Sequence, residues 1–344
     1  MTIRSYKDSD RSRWDEYVTR SNAASCYHLI GWKKVIEETF GHKTYYLLSE
    51  DENLKINGIL PFIHLKSRLF GSFAVSLPYF NYGGICADSQ EIIDGLLTTA
   101  IDIARSEGMK HLELRHTQNT VTWLPVKTAK VSMHLPLPST SEQLMNSFPS
   151  KLRSQIKRPL QENMYSRIAG EEELNSFYAV FSQNMRDLGT PVYPKTFFRN
   201  ILKTFPDNIS ICTVYTKEKQ PVASAFLVGF KSVLEIPWAS SLRTFNRLSP
   251  NMLLYWSVLE FACKQRFKVF DFGRSTPDEG TYRFKEQWGA KPIPLYWYYW
   301  LKNGGSLPEI NPHNPKYELA IKAWQKLPVW FTRIVGPSVV KNLP

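Results

Sequence analysis

The chain has 344 residues, a formal net charge of +12, 43% hydrophobic and 14% aromatic residues. That length suits about two domains, each with a full core, plus a tail, and the apolar content excludes a disordered chain. No run of about 18 uncharged apolar residues is present, which argues against a membrane-spanning helix. The opening MTIRSYKDSDRSRWDEY lacks the apolar stretch of a secretory signal, so a cytoplasmic protein is expected. Cys26, Cys86, Cys212 and Cys263 are widely spaced, with no C-x-x-C pair and no histidine at metal-ligand spacing. Buried reduced thiols and no metal are therefore expected. The positive charge attracts nucleic acid, acidic lipid or phosphorylated substrates alike, and a merely solvated basic surface fits equally well.

An amphipathic opening (Trp14, Tyr17, Val18) leads to two strand-like runs, Thr44 to Leu48 and Ile56 to His64, joined by a polar turn, which predicts a hairpin. Asp88 then reads as the cap of a helix whose Ile92, Ile93, Leu96, Leu97, Ala100, Ile101 and Ala104 recur at helical spacing up to Gly108. A strand follows at Leu112 to Leu114. After a basic helix, KLRSQIKR (151–158), helices are predicted at Glu171 to Asp187 and Lys195 to Thr204. The opening order then recurs: strands Ile209 to Tyr215, Val222 to Phe230 and Val233 to Pro237, a helix from Ser249 to about Gln265, and a strand from Lys268 to Phe272. GMKHLELR (108–115) and RFKVFDFGR (266–274) occupy equivalent places, as do NGILPF (57–62) and PVASAF (221–226). Two copies of a mixed α/β (α+β) unit are the economical reading. The domains are placed at 1–145 and 146–303, followed at 304–344 by a linker and a tail with a helix at Lys316 to Lys326.

Several catalytic signatures are absent: G-x-S-x-G, the Walker loop, G-x-G-x-x-G after a strand, and H-E-x-x-H. The stretch DFGRSTPDEGTYRFKEQWG (271–289) instead crowds seven charges into a strand end, where rigid folds carry chemistry. Lys285, between Phe284 and Trp288, could stabilise an oxyanion in acyl transfer, or could fasten the loop to Glu279 or Asp271. Asp271 could accept a proton or clamp Arg274, and Tyr282 could donate to a substrate carbonyl or simply pack. Ser249, ahead of Pro250 and Asn251, reads as a helix cap whose free N–H groups could receive an anion. In the first unit, Tyr82-Gly83-Gly84 lets backbone approach a ligand, and Lys66 with Arg68 could hold a phosphate. A lone histidine such as His28 more often belongs to a core. Arg153 and Lys157 could bind a diphosphate or RNA backbone, or sit on a solvated helix face. No stacking platform accompanies them, so sequence-specific DNA or RNA reading is not expected. The basic, aromatic tail could lie on the inner membrane surface, although its prolines favour packing on the second domain.

The blocks YHLIGWKKVIEETFGHKTYYLL, LPFIHLKSRLFG, LPYFNYGG, HLELR, KLRSQIKR, RDLGTPVYPKTFF and DFGRSTPDEGTYRFKEQWG together resemble the FemAB-related GNAT-like acyltransferases, in particular the branch associated with exopolysaccharide and exosortase (PEP-CTERM) systems. The resemblance covers nearly the whole chain in order. It implies two tandem GNAT-like domains and an N-acyltransferase acting on a cell-envelope or exopolysaccharide precursor. It also implies that Phe284-Lys285 matches the Phe-Lys element of Fem transferases, which move an amino acid from aminoacyl-tRNA to an amine on a lipid-linked peptidoglycan precursor. The helical arm some Fem proteins insert for tRNA contact has no obvious counterpart, and SSLRTFNRLSPN (240–251) does not match the usual acetyl-CoA loop. Aminoacyl-tRNA and acyl-CoA thus both stay open as donors, neither as a tightly bound cofactor. His28, Trp32, Lys66, Tyr82, Gly83, Arg115, Arg186, Asn251, Arg274, Phe284 and Trp288 are the expected substrate contacts, several of them shaping a cleft between the units, with Ser249, Arg153 and Lys157 as anion contacts. A catalytically silent GNAT-like binding module is the reading from another class.

Overall fold

The computed structural model describes residues 1–67, 71–308 and 315–343, apart from the side chains of 315–317. Arg68 lies outside the described residues. The chain divides into unit 1 (Met1–Val131, Ile293–Glu309, Lys341–Pro344) and unit 2 (Ser132–Pro292, Ile310–Val340).

Unit 1 opens with β1 (Thr2–Ser5) and α1 (Arg11–Arg20), whose Trp14, Tyr17 and Val18 are buried as their spacing predicts. Next, α2 (Gly31–Phe40) ends at Gly41, with φ 68°. The expected hairpin is β2 (Lys43–Glu50) against β3 (Ile56–Ser67), extended by β4 (Gly71–Val75) and the short β5 (Cys86–Ala87). In α3 (Gln90–Ser106) all seven predicted apolar positions are buried. Its cap is Ser89 rather than Asp88: Ser89 Oγ accepts from the Ile92 amide at 3.4 Å, while Asp88 accepts from the Tyr17 hydroxyl at 3.0 Å. β6 (His111–His116) runs parallel to β4, and β7 (Val126–Lys127) follows. Leu60 and Phe62 of β3 meet Leu96 and Leu97 of α3 in the core. At Gly58 a Cβ would collide with the Ile92 side chain, so glycine lets helix and sheet close up.

Unit 2 begins with β8 (Val131–Pro136), α4 (Ser141–Ser147), α5 (Ser150–Gln161) and β9 (Tyr165–Ala169). Then come α6 (Leu174–Leu188) and α7 (Lys195–Thr204). The repeated order follows as β10 (Ile209–Tyr215), β11 (Pro221–Phe230), β12 (Val233–Ser241), α8 (Pro250–Lys264) and β13 (Val269–Ser275). After α9 (Gly280–Glu286), β14 (Lys291–Pro294) completes a sheet of order β14-β8-β13-β12-β11-β10-β9. One face is sealed by Phe177, Phe181, Phe198, Phe226 and Trp238, with successive ring centroids 4.9 to 5.6 Å apart.

The unit boundaries depart from the sequence expectation at two strands. β15 (Tyr296–Leu301), placed by sequence in the second domain, belongs to unit 1, where it lies between β6 and β7 in a sheet of order β1-β2-β3-β4-β6-β15-β7. Its Tyr298 and Trp300 join the α3 core. β8, placed by sequence in the first domain, pairs beside β13 in the second sheet. Short apolar runs do not carry their pairing partner in their composition, which is why position along the chain misled.

The tail holds α10 (Pro315–Gln325) and α11 (Val329–Val340). α11 escapes a periodicity argument because Pro328 precedes it and Pro337 lies inside it. Both helices pack on α6 in unit 2. Thr332, Gly336 and Val340 face inward, and a Cβ on Gly336 would come within 2.8 Å of the Val192 amide. No described helix is long and apolar enough to cross a membrane. All four cysteines are buried and free, and the described residues hold no cluster able to bind a metal.

If β15 is integral to unit 1, Tyr298→Ala, which empties a fully buried site and removes the 2.6 Å bond to Asn119, should cost about 3–5 kcal/mol in urea denaturation. A loss below about 0.5 kcal/mol would mark β15 as peripheral.

Candidate active site

In unit 2 the parallel ladder between β12 and β13 runs through Val233↔Val269, Leu234↔Phe270 and Glu235↔Asp271, and then stops. β12 continues to Ser241 and β13 to Ser275 without pairing further with each other, so the sheet opens between them beyond Glu235 and Asp271. On its other side, β12 shifts register between Phe226↔Trp238 and Val228↔Glu235: two steps of β11 oppose three of β12. A bulge of this kind bends a strand and increases its twist, which helps it leave β13.

Alternation turns Phe270 and Phe272 to one face of β13, where Phe272 stacks on Tyr255 of α8, and sends Asp271 to the other. Asp271 is fully buried. Its Oδ1 accepts from Ser132 Oγ at 2.5 Å and from the Gly273 amide at 2.7 Å, and its Oδ2 lies 3.2 Å from His134 Nε2. Burial opposes ionisation, but the contacts from His134, Ser132 and Gly273 outweigh it and hold the carboxyl below its usual range. Ser132 and His134 reach it together because they stand two apart on β8, the neighbouring strand.

Lys285, on α9, is 8% exposed and donates from Nζ to the carbonyls of Gly273 at 2.9 Å and Arg274 at 2.8 Å. It fastens the end of β13 through backbone oxygens rather than through Glu279 or Asp271. An ammonium has three N–H donors, so one remains. Burial draws its pKa down to about 8, with Arg274 adding to the fall and Asp271 and Glu235 opposing it. Glu235, buried and the register partner of Asp271, thus shares this field. Phe284 and Trp288 wall the same loop, packing on Tyr255 with centroids at 4.9 and 6.1 Å, and Tyr282 is half-buried beside them in sequence.

The remaining expected residues of unit 2 sit on α5, α6 and at the start of α8. Arg186 pairs with Asp187 at 2.7 Å and donates to the Leu327 carbonyl at 3.0 Å, holding the tail on α6. Ser249 occupies the cap position of α8 in a left-handed conformation, φ 55°, and its side chain makes no capping bond; Asn251 is half-buried in the first turn. On α5, Lys157 is exposed and Arg153 half-buried.

The unit 1 candidates are largely absorbed into its own core. His28 accepts at Nδ1 from the Ser25 amide, 3.0 Å, and its Nε2 donates to the Gly84 carbonyl, 3.0 Å. Trp32 is fully buried and bonds the Cys26 carbonyl at 2.9 Å. Arg115, 3% exposed, pairs with Glu113 at 2.6 Å, donates to the Phe80 carbonyl at 2.5 Å and lies over Trp297. The loop carrying Tyr82 meets β6: Tyr82 packs on Tyr27, and the Gly83 amide donates to Arg115 O at 3.2 Å. A Cβ on Gly84 would stand 2.8 Å from that same oxygen, so these glycines admit the chain itself. The β4/β6 position, which corresponds to the β12/β13 opening, is closed by Ser76, Phe80 and Arg115. Among the described unit 1 candidates, Lys66 alone stays exposed at a cavity.

His134 escaped the sequence reading. The available signal was Ser132-x-His134, two polar residues at strand spacing in an otherwise apolar run, and nothing in it named Asp271 as partner.

Residues 147–286 match the family model of the acetyltransferase (GNAT) domain. None of the curated proteins compared with the chain matches it. Among solved structures, FemX is similar at TM-score 0.67 with 15% identity, covering 93% of this chain and 100% of FemX. A tandem GNAT protein from the clavulanic acid biosynthesis pathway gives 0.55 with 9% identity, covering 89% and 99%. L-PGS from Bacillus licheniformis gives 0.53 with 10% identity, covering 86% and 97%. At these identities the structures speak for the fold, and the family model speaks for the domain: residues 147–286 form a GNAT acetyltransferase domain within a chain that has the two-sheet fold of tandem GNAT proteins.

Proposed function

We propose that the chain is an N-acyltransferase working from unit 2, in which an amine on a glycan or lipid-linked cell-envelope or exopolysaccharide precursor attacks an activated acyl or aminoacyl group. The observation that carries this reading is the meeting of Asp271, His134 and Lys285 where β12 and β13 part. His134 takes the amine proton on Nδ1, and Asp271, whose Oδ2 lies 3.2 Å from Nε2, balances the imidazolium that forms. The amine nitrogen forms the new C–N bond. The C–O bond of an aminoacyl ester or the C–S bond of a thioester breaks, and the leaving oxygen or sulfur takes the proton back. Lys285 directs its remaining N–H to the oxyanion. Tyr282, Arg274 and Phe284 line the approach. Aminoacyl-tRNA and acyl-CoA both supply the required electrophile. Calorimetry with each donor separates Fem-type transfer from CoA-dependent acylation of an amino sugar on a nucleotide or polyprenyl diphosphate.

The tail supports a membrane-surface acceptor. The face of α11 opposite Thr332 and Gly336 exposes Trp330 by 63% and Ile334 by 68%, and α10 exposes Leu319 by 71%. Lys322, Lys326 and Arg333 accompany them, a composition suited to anionic lipid. Trp330→Ser/Ile334→Ser should sediment less with anionic vesicles than the parent chain; equal sedimentation removes the membrane from the proposal.

Lys285→Met should lower kcat by about 10²–10³, the size of losing one oxyanion donor, with circular dichroism confirming the fold. Near-normal turnover by the folded variant would leave Lys285 only its role of pinning β13, and no turnover by the parent chain with either donor would favour a binding module. Activity that needs the ammonium declines as pH rises through about 8. Lys285→Arg, always charged, should move that decline upward, and an unmoved limb excludes Lys285 as its source. Stability carries a separate signature. Between about 8 and 10.5 the unfolded chain holds a proton on Lys285 that the folded chain has lost, so folding gains stability with rising pH across that window. The gain should vanish in Lys285→Met.

A further inference from the structure

In unit 1 the strands β2 and β3 outrun the helix that covers them. Facing positions along this part of the hairpin pair Leu47↔Leu60, Tyr45↔Phe62 and Lys43↔His64, and Lys66 continues the same row on β3. The first two pairs are core: Tyr45 stacks on Phe62 at 4.9 Å, and Leu47, Leu60 and Phe62 pack with α3. By alternation, Lys43, His64 and Lys66 stand on that same core-side face. They lie where α3 has ended, and Glu107, the residue after its last turn, bonds Lys43 at 2.6 Å. Polar residues at positions a pattern reserves for apolar ones mark function when the chain keeps them accessible.

These residues line a cavity of about 350 Å³, with Phe40, Gly41, His42, Lys341 and Asn342 forming the rest of its wall. Its polar groups are held in place. His64 Nε2 lies 2.8 Å from Ser72 Oγ, and His42 Nε2 donates to the Lys341 carbonyl at 2.8 Å, an oxygen that also accepts from the Tyr79 hydroxyl. Three ammonium groups, Lys43, Lys66 and Lys341, face one lining carboxylate, Glu107. Burial lowers the pKa of both His42 and His64, so near neutral pH they serve as uncharged hydrogen-bonding groups beside these cations.

We propose that this cavity binds a phosphate-bearing group, a diphosphate matching its volume and its more than one uncompensated cation, as a site separate in its residues from the acyl-transfer site of unit 2. The proposal stands whether or not unit 2 transfers an acyl group, since it concerns binding alone. Lys66 and Lys341 bring the uncompensated charge, Lys43 is positioned by Glu107, and the two imidazoles line the wall between them. A nucleoside diphosphate and a lipid-linked diphosphate present the same chemistry to such a site.

Titration calorimetry of the full chain with inorganic pyrophosphate tests it, with uridine diphosphate and geranyl diphosphate as arms that separate the two sources. A Kd below about 1 mM is expected, weakening as salt is added. Lys43→Met/Lys66→Met, at two exposed positions, should raise Kd by at least about tenfold, while Lys203→Met/Lys217→Met, at two exposed positions of unit 2, should leave it unchanged. Glu107→Gln, which removes the lining acid, should tighten binding, giving a shift in the opposite direction that loss of fold cannot imitate. Tighter binding of uridine or geranyl diphosphate than of pyrophosphate identifies the carrier. No binding of any of the three, or binding indifferent to Lys43, Lys66 and Glu107, overturns the assignment.

Discussion

The candidate chemistry hangs on the point at which β12 and β13 stop pairing. A parallel ladder continued for two more residues would cover the ground around Gly273 and leave no opening beside it. Instead the bulge on β12 turns that strand away just past Glu235, and two buried carboxylates, Glu235 and Asp271, are left side by side at the fork. Such a pair is costly without compensation. Lys285 and His134 supply it from opposite directions along the chain, one on α9 and the other on β8. The backbone geometry that makes room is therefore the same geometry that places polar partners beside the two carboxylates.

The two units show what happens when this demand is met differently. In unit 1 the corresponding strands are followed by a loop that folds back on β6, and Arg115 satisfies Glu113, the Phe80 carbonyl and the face of Trp297 at once. Its charge is consumed within the core. Unit 2 instead spends its lysine on two carbonyls at the strand end and keeps one donor in hand. The strand order recurs in both units while the residues at the fork differ: unit 1 consumes its charge internally and unit 2 leaves a donor over.

Much of this was legible in residue order. The α3 heptad-like row, the β2–β3 hairpin and the repeated strand-helix-strand order could be read because periodicity reports which face is buried. Lys285 stood out because its motif crowds charge and aromatic residues at a strand exit. His134 did not, since its role at the fork lies in the pairing of β8 beside β13, segments some 140 residues apart, and the pairing of β15 beside β6 is equally invisible in residue order. Arg115 and His28 carried the residue types of a site, yet each finds its partners inside the fold, and spacing alone does not separate a satisfied polar group from a waiting one.

The proposal that acyl transfer takes place where β12 and β13 part, with the donor in that opening, is tested most directly by amide hydrogen exchange with and without donor. With CoA thioester or with aminoacyl-tRNA, one of the two should slow exchange in residues 236–241 and 272–275, the backbone flanking the fork. Unchanged exchange in both segments with both donors, at concentrations where calorimetry reports binding, would contradict the account.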